Sequence, residues 1–257
     1  MIEELDVDVT NPGQVFACLG LLEALERLAP GATGRFVEEA RFLVESGASV
    51  CDAVAAVKSA SLSVEIPNGE VAPWGGDKAW PVVLSGGTIG SLVLDPWLAP
   101  DHTQVATGLK LWAGQVTTLE LLKGLKERLP IPAPDAVRGL FQLGATGTPT
   151  GLDPRSAIPK PDLGFSYNSQ GLKPRIYPAV DLFAMLGVQG ARPKRTGGLT
   201  YVYALWDGPL PPLVARAVLS GRLPAMASSR FEYSIESRGQ AGTYKNFSRG
   251  RPIEEEK

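Results

Sequence analysis

The sequence predicts an α+β fold, with mixed sheets, packed helices and a long Pro/Gly-rich irregular central segment. Three observations lead there. Hydrophobic periodicity alternates along the chain between the two-residue repeat of strands and the three-to-four-residue repeat of helices. Gly and Pro, 29 and 22 of 257 residues, make up about a fifth of the chain against an average near ~12%. Between Pro130 and Pro178, a stretch holding nine prolines, the periodicity largely fails. With 44% hydrophobic residues the chain can bury a sizeable core, in one or two domains.

The first element is a half-buried strand, in which Leu5, Val7 and Val9 alternate with Asp6, Asp8 and Thr10. A helix follows. Asn11 suits its N-cap, Pro12 its first position, and Gln14 stands three residues after the cap as in a capping box. Pro30-Gly31 stops it near Leu28. Gly13, Ala17, Gly20 and Ala24 form a stripe of small residues that lets a sheet or a second helix approach closely. The stretch is not a phosphate loop, because it lacks GxGxxG and GxxxxGK[ST]. Cys18 is expected as a small core residue.

Next come a strand over Arg35–Val44, a helix over Ala48–Lys58 and a strand over Leu62–Ile66 before the turn Pro67-Asn68-Gly69. Strands over Pro81–Leu84 and Ile89–Leu94 flank Ser85-Gly86-Gly87. Val116–Arg128 reads as a helix with Leu119, Leu122 and Leu125 on one side and Lys123, Lys126 and Arg128 in its last turns. Order returns after the irregular segment with a helix over Val180–Leu186, a strand over Leu199–Trp206 and a helix over Pro212–Leu219. Strands over Ser229–Glu236 and Thr243–Phe247 end the series. The chain thus divides into an acidic α/β region (1–130), the irregular segment (131–178) and a basic α+β region (179–257).

Several chemistries find no support. No run of about 18 apolar residues is present, so no membrane span is expected. The acidic stretch Met1–Asp8 lacks the basic start of a secretion signal, which points to the cytoplasm. Cys18 and Cys51 have no CxxC spacing and His102 is the one histidine, so these three cannot assemble a tetrahedral zinc site. A disulfide is compatible with the sequence; two buried thiols fit a cytosolic chain better. A nucleophilic triad would need His102, which sits in the polar loop "LAPDHTQ" with no GxSxG nearby and reads as a solvated histidine. No metal site, catalytic residue or cofactor is predicted. Carboxylates occur without a DxD, ExK or HD pattern, and a metal-dependent nuclease built from scattered carboxylates stays open as a second class.

Charge is the more informative feature. The net charge is -2, but Met1–Pro154 carries 10 Lys+Arg against 19 Asp+Glu, and Arg155–Arg251 carries 14 against 5. A basic half of this kind suits a polyanion, nucleic acid first; the plainer alternative is that the two halves neutralise each other by packing together. The candidate contacts are Arg155, Lys160, Tyr167, Lys173 and Arg175, in or beside the irregular segment with Tyr177. Arg192, Lys194 and Arg195 stand in "GARPKRTGG", and Lys245, Arg249 and Arg251 in "YKNFSRGR" beside Tyr244 and Phe247. Arg and Lys meet phosphates, and aromatic rings offer faces to bases. Tyr167 and Phe247 serve equally well as core residues. No RNP1, KH or helix-turn-helix pattern appears.

These blocks, in this order, resemble the large-subunit proteins of type I CRISPR–Cas surveillance complexes, in particular the short version of type I-U (I-G) systems. The resemblance rests on "DVTNPGQVFACLGLLEAL", "LKLWAGQVTTLELLKGL", "GLDPRSA" with "GFSYNSQ", "YPAVDLFAMLGVQGARP" and "YALWDGPLPPLVARAVLSG", which together span most of the chain. It implies a non-enzymatic subunit that holds the 5′ end of the crRNA, reads a short motif beside the target in double-stranded DNA and helps start the R-loop. Its implied partners are crRNA, target DNA, other CRISPR-associated effector subunits and a recruited helicase-nuclease. Such a division leaves sequence reading to base pairing. At 257 residues the chain is short for a large subunit, so part of that role would fall to another subunit.

Overall fold

The structure, a computed structural model, describes residues 1–38, 40–64, 81–94, 111, 116–156, 174–238 and 244–254. Its fold is α+β, built from small antiparallel sheets around two buried helices. Strand β1 (Ile2–Asp6) leads through Val7 and Val9, both buried as their alternation requires, into helix α1 (Pro12–Leu28). Asn11 caps that helix by accepting from the Gln14 amide at 3.2 Å. Such a cap contributes about 1 kcal/mol. The reciprocal half of a capping box is absent. The Gln14 side-chain oxygen Oε1 accepts instead from the Asp8 backbone amide at 2.8 Å, and the Asn11 backbone amide donates to the Asp8 backbone carbonyl at 2.9 Å.

The segment Arg35–Val44 forms two strands, not one. Strands β2 (Thr33–Val37) and β3 (Arg41–Glu45) fold back on each other, and Glu38, with φ 51, takes the left-handed conformation at the turn. The sheet order is β1-β3-β2, all antiparallel, with α1 carrying the chain from one edge to the other. Leu5, Phe36, Phe42 and Val44 turn inward, where Phe36 meets Trp206 edge-on at 4.9 Å. Helix α2 (Val50–Ser59) starts on a complete capping box, Ser49 with Asp52. Strands β4 (Ser61–Val64), β5 (Val82–Gly86) and β6 (Gly90–Leu94) form a second antiparallel sheet. The Pro67-Asn68-Gly69 turn and His102 lie outside the described residues.

Helix α3 (Thr118–Arg128) also begins on a capping box, Thr117 with Glu120. It buries Leu121, Leu122 and Leu125, while Leu119 is half-buried, so its inner face is rotated slightly from the expected one. A 3-10 stretch, Pro134–Gln142, runs beside β1 and sets Arg138 on Asp6. The short strands β7 (Ala145–Thr146) and β8 (Arg175–Ile176) pair across the irregular segment.

Helix α4 (Pro178–Gly190) is twice the expected length, and from Pro178 to Val188 every residue is buried. It packs on α1 through the small-residue stripe, so the close neighbour of that stripe is a helix. A Cβ on Gly20 would overlap the Phe183 carbonyl, and one on Gly187 would overlap the Phe16 carbonyl. The contact is reciprocal because the two helices carry the same motif. Phe16-Ala17-Cys18-Leu19-Gly20 faces Phe183-Ala184-Met185-Leu186-Gly187, 167 positions later.

The last sheet follows. Strand β9 (Lys194–Gly197), read from the sequence as a loop, pairs with β10 (Thr200–Leu205). Helix α5 (Pro212–Leu219) then leads to β11 (Ser229–Arg238), which pairs on its far side with β12 (Tyr244–Phe247) and β13 (Arg251–Pro252). Tyr203, Tyr233 and Phe247 face the Phe16 ring at 6.2 to 6.3 Å between centroids. Burying a ring of that size stabilises by roughly 1.5–3 kcal/mol. Cys18 is buried and Cys51 half-buried, both as free thiols. Among the described residues no helix is long and apolar enough to cross a membrane.

Candidate nucleic-acid interface

The C-terminal sheet has two unlike faces. Alternation along β10 and β11 turns Tyr201, Tyr203, Phe231 and Tyr233 toward α1 and leaves Val202, Glu232 and Ser234 on the other side. Register places Lys194, Val202, Glu232 and Arg251 in one row across β9, β10, β11 and β13 on that second face. Adjacent strands lie about 4.8 Å apart, so Lys194 and Arg251 stand roughly 14 Å from each other. Arg192 is exposed just before β9. Arg192, Lys194 and Arg251 are exposed and make no ion pair among the described residues. Glu232 sits between the flanking cations and accepts from Thr196 Oγ1 at 3.3 Å.

The other candidates fall elsewhere. Arg195 is exposed at the sheet edge and donates from Nε to the Gly198 carbonyl at 2.5 Å. Arg249 bridges to Asp8 at 2.6 Å and reaches Thr10 Oγ1 at 3.1 Å, fastening the last strands to the entry of α1. Lys245 is half-buried in β12. Phe247, offered from sequence as a stacking face, is fully buried against Phe16, because β12 pairs with the inward-facing row at Ile235. Lys160, Tyr167 and Lys173 lie outside the described residues.

Arg155 is turned inward. It holds Asp153 from Nε and Nη2, the latter at 2.7 Å, and donates to the Phe141 carbonyl at 2.8 Å and to Gln142 Oε1 at 2.7 Å. Its guanidinium lies 3.6 Å over the Tyr177 ring. Arg175, exposed on β8, places its own guanidinium 5.4 Å from the same ring. Arg128 joins them by donating from Nε to the carbonyl of Thr146, the residue paired with Arg175. From sequence Arg128 stood only as a charge closing a helix; its link to Arg175 runs through a two-residue strand pair that carries no local signal.

The described candidates therefore do not converge on one site. Arg175 precedes α4 and Arg192 follows it, and thirteen helical residues at 1.5 Å each separate the two groups by roughly 20 Å. Among the described residues, three ion pairs join the acidic and basic halves: Arg155–Asp153, Arg216–Glu23 and Arg249–Asp8.

Behind Arg155 lies a buried polar cluster. Asn11 Nδ2 donates to Asp153 Oδ1 at 2.9 Å, and Thr150 donates to Asp181. Burial, with the Asp153 charge second, pushes the Asp181 carboxyl up to about 8. Asp153 and Asp181 are both inaccessible to solvent, so the pair ties α1 and α4 to the 150–156 segment and offers no substrate a path. Among the described residues no group of three His, Cys, Asp or Glu side chains is placed to hold a metal ion. Comparison of the chain with protein-family models, with curated proteins and with solved structures finds no match.

Proposed function

We propose that the chain is a non-catalytic subunit of a crRNA-guided surveillance complex, which binds the crRNA 5′ end and the target DNA beside its recognition motif. The observation that carries the reading is a set of exposed cations with no ion pair among the described residues: Lys194 and Arg251 on the solvent face of the C-terminal sheet, and Arg192 just before β9. Within the acidic half, Arg41 and Arg138 meet Glu4, Asp6 and Glu38, three of its nineteen carboxylates, and the half keeps its negative surplus. The basic half keeps a surplus that faces water, which favours a polyanion over mutual packing as the partner of this face. The resemblance to the large-subunit family supplies the crRNA and the complex; the free cations supply the polyanion.

The acidic first half would repel free nucleic acid, so the isolated chain binds it weakly and acts within an assembly. The test is a gel shift with complexes assembled with and without this chain, on targets bearing or lacking the adjacent motif. Binding that requires both the chain and the motif is the expected result. Equal binding in all four cases would overturn the proposal, and metal-dependent cleavage by the purified chain would replace it with an enzyme.

A further inference from the structure

We propose that Tyr177 and Arg175 form a stacking site for one base of a single-stranded nucleic acid, with Arg155 as its fixed support. The inference rests on the nucleic-acid reading above and adds the form of the ligand. Among the described side chains, every other Phe, Tyr and Trp is buried, whereas Tyr177 packs against the core on one side and stays partly exposed. The ring is also rigidly held. Tyr177 precedes Pro178, which restricts its backbone, and it is the N-cap residue of α4 at φ -122, ψ 85.

The two guanidinium groups differ in a way that matters for a ligand. Arg155 is held by Asp153, Gln142 and the Phe141 carbonyl, which fix its guanidinium 3.6 Å over the ring. Arg175 has no ion pair among the described residues and is exposed; its guanidinium lies over the ring at 5.4 Å, and the side chain withdraws to admit a planar guest between them. Arg128, across the β7–β8 pair, is engaged by Glu127 at 3.6 Å and by the Gly124 and Thr146 carbonyls, so the charge for a neighbouring phosphate is that of Arg175. A planar, electron-delocalised group with an adjoining anion is the chemistry that this arrangement accepts, and a nucleotide has both.

Single-stranded form follows from access. A base inside a duplex already stacks on both sides and presents only its edges, so it cannot lie on a protein ring without being flipped out. A base in a single strand can. The sheet face bearing Lys194 and Arg251 has no described ring exposed, and suits backbones of either form. The two regions thus divide the work: backbone tracking on the sheet, base stacking at the start of α4.

The experiment uses the full-length chain at low ionic strength, with a short single-stranded oligonucleotide carrying 2-aminopurine and with the corresponding duplex. Stacking on an aromatic side chain contributes about 1–3 kcal/mol per base, a loss of roughly 5- to 140-fold on removal. Tyr177→Leu is expected to weaken single-strand binding by that factor and to abolish 2-aminopurine quenching, with duplex affinity unchanged. Tyr177→Phe retains both. Should Tyr177→Leu fail to fold by circular dichroism, Arg175→Ala, at an exposed position, decides in its place. Single-strand affinity and quenching that survive the informative variant would overturn the inference, as would an equal loss on duplex. Wild-type chain that binds neither form, alone or in its complex, would overturn the nucleic-acid reading together with it.

Discussion

Asp181 is a carboxyl held where its charge is expensive. Burial is the main cause, the Asp153 charge the second, and one of its oxygens has no hydrogen-bond partner. With the folded value raised from 3.8 to about 8, the folded chain keeps a proton that the unfolded chain releases between those limits. Stability from this group is therefore present at low pH and falls as pH rises through the window, by at most about 1.4 kcal/mol per unit. Asp181→Asn keeps the volume and the bond from Thr150 without a charge to bury. Melting temperatures between pH 5 and pH 9 are expected to rise in the variant at the alkaline end and to vary less with pH; identical pH profiles would show that Asp181 is not protonated in the fold. Asp8 runs the other way. Burial raises it, but hydrogen bonds from Thr10 and Arg249 outweigh that and hold it below its ordinary value, so its contribution is lost only as pH falls. None of this was legible in the sequence, where Asp153 and Asp181 read as scattered carboxylates. Arg155 was likewise read as a contact residue, although its partner Asp153 stands only two positions away.

Among the elements, the pairing of α1 with α4 decides most. Gly20 and Gly187 exist because a carbonyl of the other helix occupies the space of a side chain. Gly20→Leu should destabilise the chain by about 1–3 kcal/mol or more, since the facing backbone cannot yield. Cys18→Ala, which shortens a buried side chain and adds no volume at the crossing, should cost less and leave binding intact. Thermal unfolding of both variants checks the order, and the double variant Gly20→Leu, Gly187→Leu should depart from additivity because the two sites touch. The small-residue stripe and the N-cap of α1 were visible in sequence, since they are local. The recurrence of the motif in α4 carries no local signal, because only the fold brings positions 167 apart into contact. The break within Arg35–Val44 escaped notice for the opposite reason: Glu38 takes its positive φ with no Gly or Asn to announce it. Strand β9 escaped because Lys194 and Arg195 carry no apolar alternation; its register comes from β10.

At the scale of the molecule, charge segregation was plain from the sequence, and which cations remain available was not. Ion pairs withdraw Arg155, Arg216 and Arg249; the edges of one sheet leave Lys194 and Arg251 in solvent. Aromatic residues beside the basic stretches divide in the same way, Phe247 into the core and Tyr177 to the surface. Each phosphate neutralised on duplex DNA adds about 0.9 to the fall of log K with log salt. The direct test is a salt titration of nucleic-acid binding by the complex with wild-type chain, with Arg192→Ala, Lys194→Ala and Arg251→Ala combined, and with Arg41→Ala and Arg138→Ala combined as a control on the acidic half. The account predicts weaker binding and a slope shallower by about 0.9 for each lost phosphate contact in the first variant, with the control like wild type. An unchanged slope and affinity in the first variant, or an equal loss in the control, would contradict it.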